Sequence, residues 1–135
     1  METRILSEEY SEIAAKVLER EPAVQDIVKS HATIVYLASN KAKTAKGKTV
    51  YGECEKVADK NKWAIPADFT ITVYEPNCEG FTEDQLYILL FHELLHVGIN
   101  FENNDEKYYI RPHDYEDFKL IIDRYGTNWS IPKNK

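Results

Sequence analysis

Only two cysteines, Cys54 and Cys78, occur in 135 residues, too few for the disulfide framework that holds small secreted domains together. Both are expected as reduced thiols on strands or loops. No apolar run approaches the ~20 residues that a membrane helix needs. The opening stretch METRILSEEYSEIAAK lacks the basic segment and uninterrupted apolar core of a secretory signal. The expectation is a cytoplasmic protein that does not cross a membrane. Basic residues are also short, with 17 Lys and Arg against 23 Asp and Glu, a net charge of −6 and a pI near 5.2. That balance argues against a partner nucleic acid held by broad phosphate neutralisation. One local exception, KAKTAKGK from Lys41 to Lys48, carries four lysines and no acid; it reads as the solvated tip of a hairpin loop.

What is present is a globular composition, 43% hydrophobic and 30% charged, in a length that fits one domain, taken as residues 1–135. From Ser7 to Arg20, Tyr10, Ile13, Ala14, Val17 and Leu18 recur at helical spacing. Ser7 is placed to cap that helix, and Pro22 to stop it and start a short second one. ATIVYLA, Ala32 to Ala38, and TVYGECEKV, Thr49 to Val57, read as two strands joined as a hairpin or meander across the lysine loop. DFTITVYE, Asp68 to Glu75, alternates Phe69, Ile71 and Val73 with Thr70, Thr72 and Tyr74, a third strand.

A helix then runs through FTEDQLYILLFHELLHVG, opened by a T-x-x-Q capping box at Thr82 and Gln85 and expected to stop at Gly98. It is apolar on nearly every side and must lie in the core. A polar loop is expected to about Ile110, then a last helix from Asp114 to Tyr125 stopped by Gly126. Helices, three strands, a buried helix, a loop and a helix make an α+β domain.

The buried helix carries the chemistry. His92 and His96 stand one turn apart, so both imidazoles can reach one ion, and Glu93 lies beside the first. In this H-E-x-x-H pattern the glutamate sits beside the metal and serves as base toward metal-activated water. Three polar side chains in a greasy helix are costly unless something satisfies them. A pair of core histidines bonded to carbonyls would leave Glu93 unexplained.

Two histidines do not complete a catalytic zinc shell. The third ligand is expected to be His113 in RPHDYEDF, with Glu116 and Asp117 as the alternatives. The longer metzincin pattern fails, because glycine comes one place early at Gly98 and Glu102 stands where the third histidine belongs. Asp114 or Asp117 could orient a zinc histidine, and Tyr108, Tyr109, Tyr115 and Arg111 are candidates for stabilising an oxyanion.

DFTITVYEPN, FTEDQLYILLFHELLHV and RPHDYEDF together resemble the putative phage metallopeptidase family, small zincin-like proteins of phages, prophages and their bacterial hosts. More remotely the chain is similar to SprT-like and minimal gluzincin peptidases. YLASNKAKTAKGKTVYGECEKV resembles that family's strand, basic loop and glycine-containing strand, so the likeness spans roughly residues 30 to 122. It implies a zincin-like fold, a small mixed sheet of three or slightly more strands on a buried active-site helix. It also implies Zn2+ held by His92, His96 and His113, with Glu93 as base, in the cytoplasm of a bacterial cell or phage-infected host. In zincins an edge strand beside the active-site helix pairs with extended substrate, and DFTITVYE is the candidate.

The function expected is a zinc metalloendopeptidase acting on protein or peptide. The alternative is a phage- or prophage-encoded binding or regulatory protein with a structural or vestigial zinc site, its fourth position filled by a side chain such as Cys78 or Glu102. A DNA-associated peptidase gets little help from a pI near 5.2.

Overall fold

The computed structural model describes residues 1–113, 118–126 and 129–130. It is an α+β domain built on a mixed four-stranded sheet. Among the described residues no helix is long and apolar enough to cross a membrane.

Helix α1, Glu8–Arg20, forms where the apolar spacing placed it. Ser7 caps it by accepting the Tyr10 N–H at 3.1 Å, and Tyr10, Ile13, Ala14 and Val17 are buried. Pro22 opens a single 3₁₀ turn that leads into the short α2, Gln25–Lys29. A short strand not foreseen in the sequence, β1, Arg4–Leu6, precedes α1 and pairs antiparallel with β2, Ile34–Ser39.

The expected hairpin across the lysine loop does not form. The loop makes a hairpin of its own, β3, Thr44–Ala45, against β4, Lys48–Thr49, turned by Lys46 and Gly47 at φ 51° and 75°. The lysine run is thus a hairpin tip, as expected. β5, Gly52–Lys56, is separated from β2 by β6, Phe69–Tyr74, in the order β1-β2-β6-β5. β6 runs parallel to β2 and antiparallel to β5. All six of its residues are buried, because both of its faces are covered. Phe69, Ile71 and Val73 enter the core. On the other face Arg4 donates to Thr72 Oγ1 and to the Tyr74 hydroxyl, each at 3.3 Å, and that hydroxyl donates to Glu53 Oε1 at 2.7 Å. Lys43 pairs with the same Glu53 carboxylate. A polar lid therefore satisfies hydroxyls that burial alone would penalise.

Helix α3, Glu83–Leu95, starts at the foreseen capping box. Thr82 Oγ1 accepts the Gln85 N–H at 3.2 Å, and Gln85 Oε1 accepts the Thr82 N–H at 2.9 Å. The helix packs against α1 and the sheet, burying Ile88, Leu89, Leu90, Phe91, Leu94 and Leu95.

The end of α3 differs from the expectation. The helix stops before Gly98, with His96 as its cap, and the chain turns at once into β7, Val97–Glu102. β7 pairs with β8, Asp105–Ile110, where a polar loop was expected. Asn103 and Asn104, at φ 49° and 63°, make the two-residue turn between them, a conformation that asparagine tolerates. Gly98 is a strand residue whose missing side chain admits the Tyr109 ring: a Cβ there would lie 2.5 Å from it. The final helix, α4, is seen from Lys119 to Tyr125, ending at Gly126 with φ 80°. Phe118, expected inside a helix begun at Asp114, is instead its extended N-cap, so the helix starts later than expected; Asp114 itself lies outside the described residues. Arg124 donates to Glu21 at 2.8 Å and Tyr87 donates to the same carboxylate at 2.7 Å, joining α4, the end of α1 and α3.

Because the capping box fixes the entry of the helix that carries His92, Glu93 and His96, Thr82→Ala is expected to cost about 1 kcal/mol of stability. A urea midpoint that falls with an unchanged slope is the expected reading, and an unmoved midpoint contradicts it.

Candidate metal centre

The last turn of α3 presents His92 and His96 on one face, their rings 5.2 Å apart between centroids. Between His96 and His113 the β7–β8 hairpin runs out and back, so residues 17 apart in sequence meet in space. The return is locked by two hydrogen bonds. The Arg111 N–H donates to the His96 carbonyl at 2.7 Å, and His96 Nδ1 lies 2.7 Å from the Arg111 carbonyl oxygen. A carbonyl only accepts, so His96 Nδ1 carries the proton and its Nε2 keeps a lone pair.

Two residues further on, His113 places its Nε2 2.8 Å from His92 Nε2. One ring nitrogen from each of His92, His96 and His113 lies within 4.8 Å of the others. Three imidazole donors converging at this separation can hold a metal ion at the ~2.0–2.1 Å typical of zinc–nitrogen bonds. Phe118 backs the cluster edge-on, its ring centroid 5.5, 4.9 and 5.2 Å from those of His92, His96 and His113. The Arg111 guanidinium lies over the Phe118 ring at 5.2 Å.

Glu93 does not belong to the triad. Its Oε2 lies 3.9 Å from His92 Nε2, and the residue is 4% exposed. His92 and Glu93 open together into a cleft of about 540 Å³. The cleft is lined by the chain from Lys48 through Gly52 and by Leu89, Ile122 and Trp129, with the Tyr51 and Trp129 rings 6.4 Å apart between centroids. The Trp129 carbonyl is held by Gln85 Nε2 at 3.0 Å, so the capping-box partner of Thr82 also anchors a residue that lines the cleft.

Several expectations are corrected or placed here. DFTITVYE is not the edge strand beside the helix; as β6 it is paired on both sides, taking the centre of the sheet because both of its faces find cover. The strand at the cleft is β5. Tyr108 donates to Glu106 at 2.8 Å and packs on Phe69, and Tyr109 lies over Gly98, so both are committed to the hairpin. Of the three oxyanion candidates among the described residues, Arg111 is the one that borders the cluster; Tyr115 lies outside them. So do Asp114, Glu116 and Asp117. Cys78 and Glu102 are not among the described residues grouped with the histidines. Both cysteines are free. Burial pushes the Cys78 thiol up to about 12. The Cys54 thiol is raised as well, by burial first and then by the nearby Glu93 carboxylate.

The sequence reading missed Gly52, Tyr51 and Trp129 as parts of the cleft and took Phe118 for a core residue only. A lone Trp near the C-terminus and a Gly inside an otherwise regular strand were the signals that could have found two of them.

A family model described as a putative phage metallopeptidase matches residues 3–133. No curated protein and no solved structure matches the chain.

The convergence of His92, His96 and His113 predicts one divalent ion per chain after metal loading, read by elemental analysis. His113→Ala is expected to weaken binding by more than the ~10–100-fold that loss of an outer partner costs; unchanged stoichiometry and affinity in that variant would remove His113 from the site.

Proposed function

From its membership of the putative phage metallopeptidase family, we propose that this chain is a zinc-dependent peptidase, one catalytic domain over residues 1–135, with His92, His96 and His113 as ligands and Glu93 as general base. The observation that carries this reading is the buried Glu93 carboxylate, 3.9 Å from His92 Nε2, where His92 and Glu93 line the cleft together. A carboxylate held there is within reach of a water in the cleft but stands aside from the ligand set.

Bound zinc would supply Lewis acidity, polarising the scissile carbonyl and making water a competent nucleophile near neutral pH. The chain's own groups do the rest. Glu93 takes a proton from water as the water oxygen bonds to the carbonyl carbon, then delivers it to the amine nitrogen as the C–N bond breaks. The Arg111 carbonyl fixes the tautomer of His96, so that Nε2 is the nitrogen with a lone pair to offer a metal.

The substrate is an extended peptide lying along the chain from Lys48 to Gly52. In the antiparallel β5–β6 ladder the Tyr51 carbonyl turns inward to the Tyr74 N–H at 2.9 Å, so the alternation turns the Gly52 backbone outward, over the cleft. Tyr51, Leu89, Ile122 and Trp129 give that cleft apolar walls, suited to a large apolar side chain next to the scissile bond.

A binding protein with a closed structural zinc site would need a fourth protein ligand, and among the described residues the cluster comprises three. The peptidase reading therefore stands ahead of it.

Glu93→Gln is expected to keep its metal and lose peptide hydrolysis by about 10³-fold, within the range that general acid–base catalysis supplies. Undiminished cleavage by that variant would end the mechanism. On a mixed peptide library, cleavage sites are expected to be enriched in large apolar residues; a Trp129→Ala variant should blunt that preference, whereas an identical cleavage pattern would separate Trp129 from specificity.

A further inference from the structure

We propose that Gly52 is a positioning residue for Glu93, an inference that rests on the peptidase reading above. Gly52 opens β5 where the edge strand runs past α3. A Cβ built on it would stand 3.0 Å from the Thr72 carbonyl oxygen and 3.4 Å from each of Glu93 Cγ and Leu89 Cδ1. Its backbone is outside the left-handed region, so conformation does not demand glycine at this place. Proximity does. Leu89 and Glu93 lie one turn apart on the same face of α3, and bare backbone at Gly52 lets the strand close against both.

That closeness has a consequence for the base. With Thr72 main chain behind it, a methyl group at position 52 cannot retreat across the sheet, because the carbonyl it meets belongs to the central strand β6. The few tenths of an ångström it needs are lacking at the Thr72 carbonyl, and moving away from that oxygen carries the methyl onto α3, where Glu93 Cγ and Leu89 Cδ1 already stand at van der Waals contact. Gly52 and Glu93 also line the same cleft, so the backbone that supports the base is the backbone that the substrate would meet. Displacing a reacting group by about 1 Å costs up to ~10²-fold in rate, and a shift of a few tenths corresponds to about tenfold.

The experiment compares wild type, Gly52→Ala, Glu93→Gln and the double variant in zinc content, in kcat and KM on a peptide that the wild type cleaves, and in the visible spectrum after cobalt substitution. Gly52→Ala is expected to hold one ion and to lose about tenfold in kcat, with KM within about twofold of wild type. In the Glu93→Gln background the same change should have no further effect, since the two act through one group. An unchanged kcat, a raised KM at constant kcat, or an equal loss in the Glu93→Gln background overturns the proposal. If the metal-loaded wild type cleaves no peptide, the peptidase reading fails by itself. The cobalt spectrum then decides for Gly52, which must shift it in the direction that Glu93→Gln does; an unmoved spectrum, or a chain that takes up no cobalt, rejects the role.

Discussion

Two hydrogen bonds between His96 and Arg111, each 2.7 Å long, close the chain around its site. One joins main chain to main chain and extends the β7–β8 ladder up to the end of α3. The other uses the imidazole itself. Together they make the orientation of His96 and the return of the chain toward His113 a single event: the hairpin cannot open at its base without freeing the ring, and the ring cannot turn without losing the carbonyl. The close approach of His113 to His92 follows from that closure, since Pro112 is the one residue between Arg111 and His113.

The second constraint is the placement of α3 in the core. A helix with leucine, isoleucine or phenylalanine on most of its faces has nowhere to put His92 and Glu93 except toward an opening, and the opening is the cleft between the end of the lysine hairpin and α4. Gln85 serves both ends of this arrangement. Its backbone and side chain complete the cap with Thr82, while its remaining amide protons hold the Trp129 carbonyl. The start of the helix and the Trp129 lining of the cleft are thereby set by one residue, and the cleft's shape depends on how α3 begins as well as on how it ends.

Much of this was legible in the residues. The period of Tyr10, Ile13, Ala14 and Val17, the capping box at Thr82, the turn at the lysine loop and the Gly126 stop are local signals, and local physics decided them. The ligand spacing of His92 and His96 was legible for the same reason, being fixed by one helical turn. His113 could be nominated from its isolation as the one downstream histidine, but the hairpin that delivers it could not be seen. Asn103 and Asn104 occupy positive φ in a stretch whose charged residues read as loop, and β7 and β8 pair with each other outside the main sheet. Strand order was illegible too. That β6 lies between β2 and β5 depends on non-local pairing and on a lid made of Arg4, Lys43 and Glu53, residues scattered over three separate segments. Gly98 shows the hazard of a local rule: glycine after a helix suggests a stop, yet here it makes room for Tyr109.

The central claim is that three imidazoles make up the protein's share of one metal's coordination, leaving a position toward the cleft. X-ray absorption at the zinc edge of the metal-loaded protein tests it most directly. The account predicts a shell of light atoms with the multiple-scattering signature of three imidazole rings and one further ligand from solvent. A sulfur neighbour from Cys54 or Cys78, or a fourth ligand supplied by the chain, would contradict it.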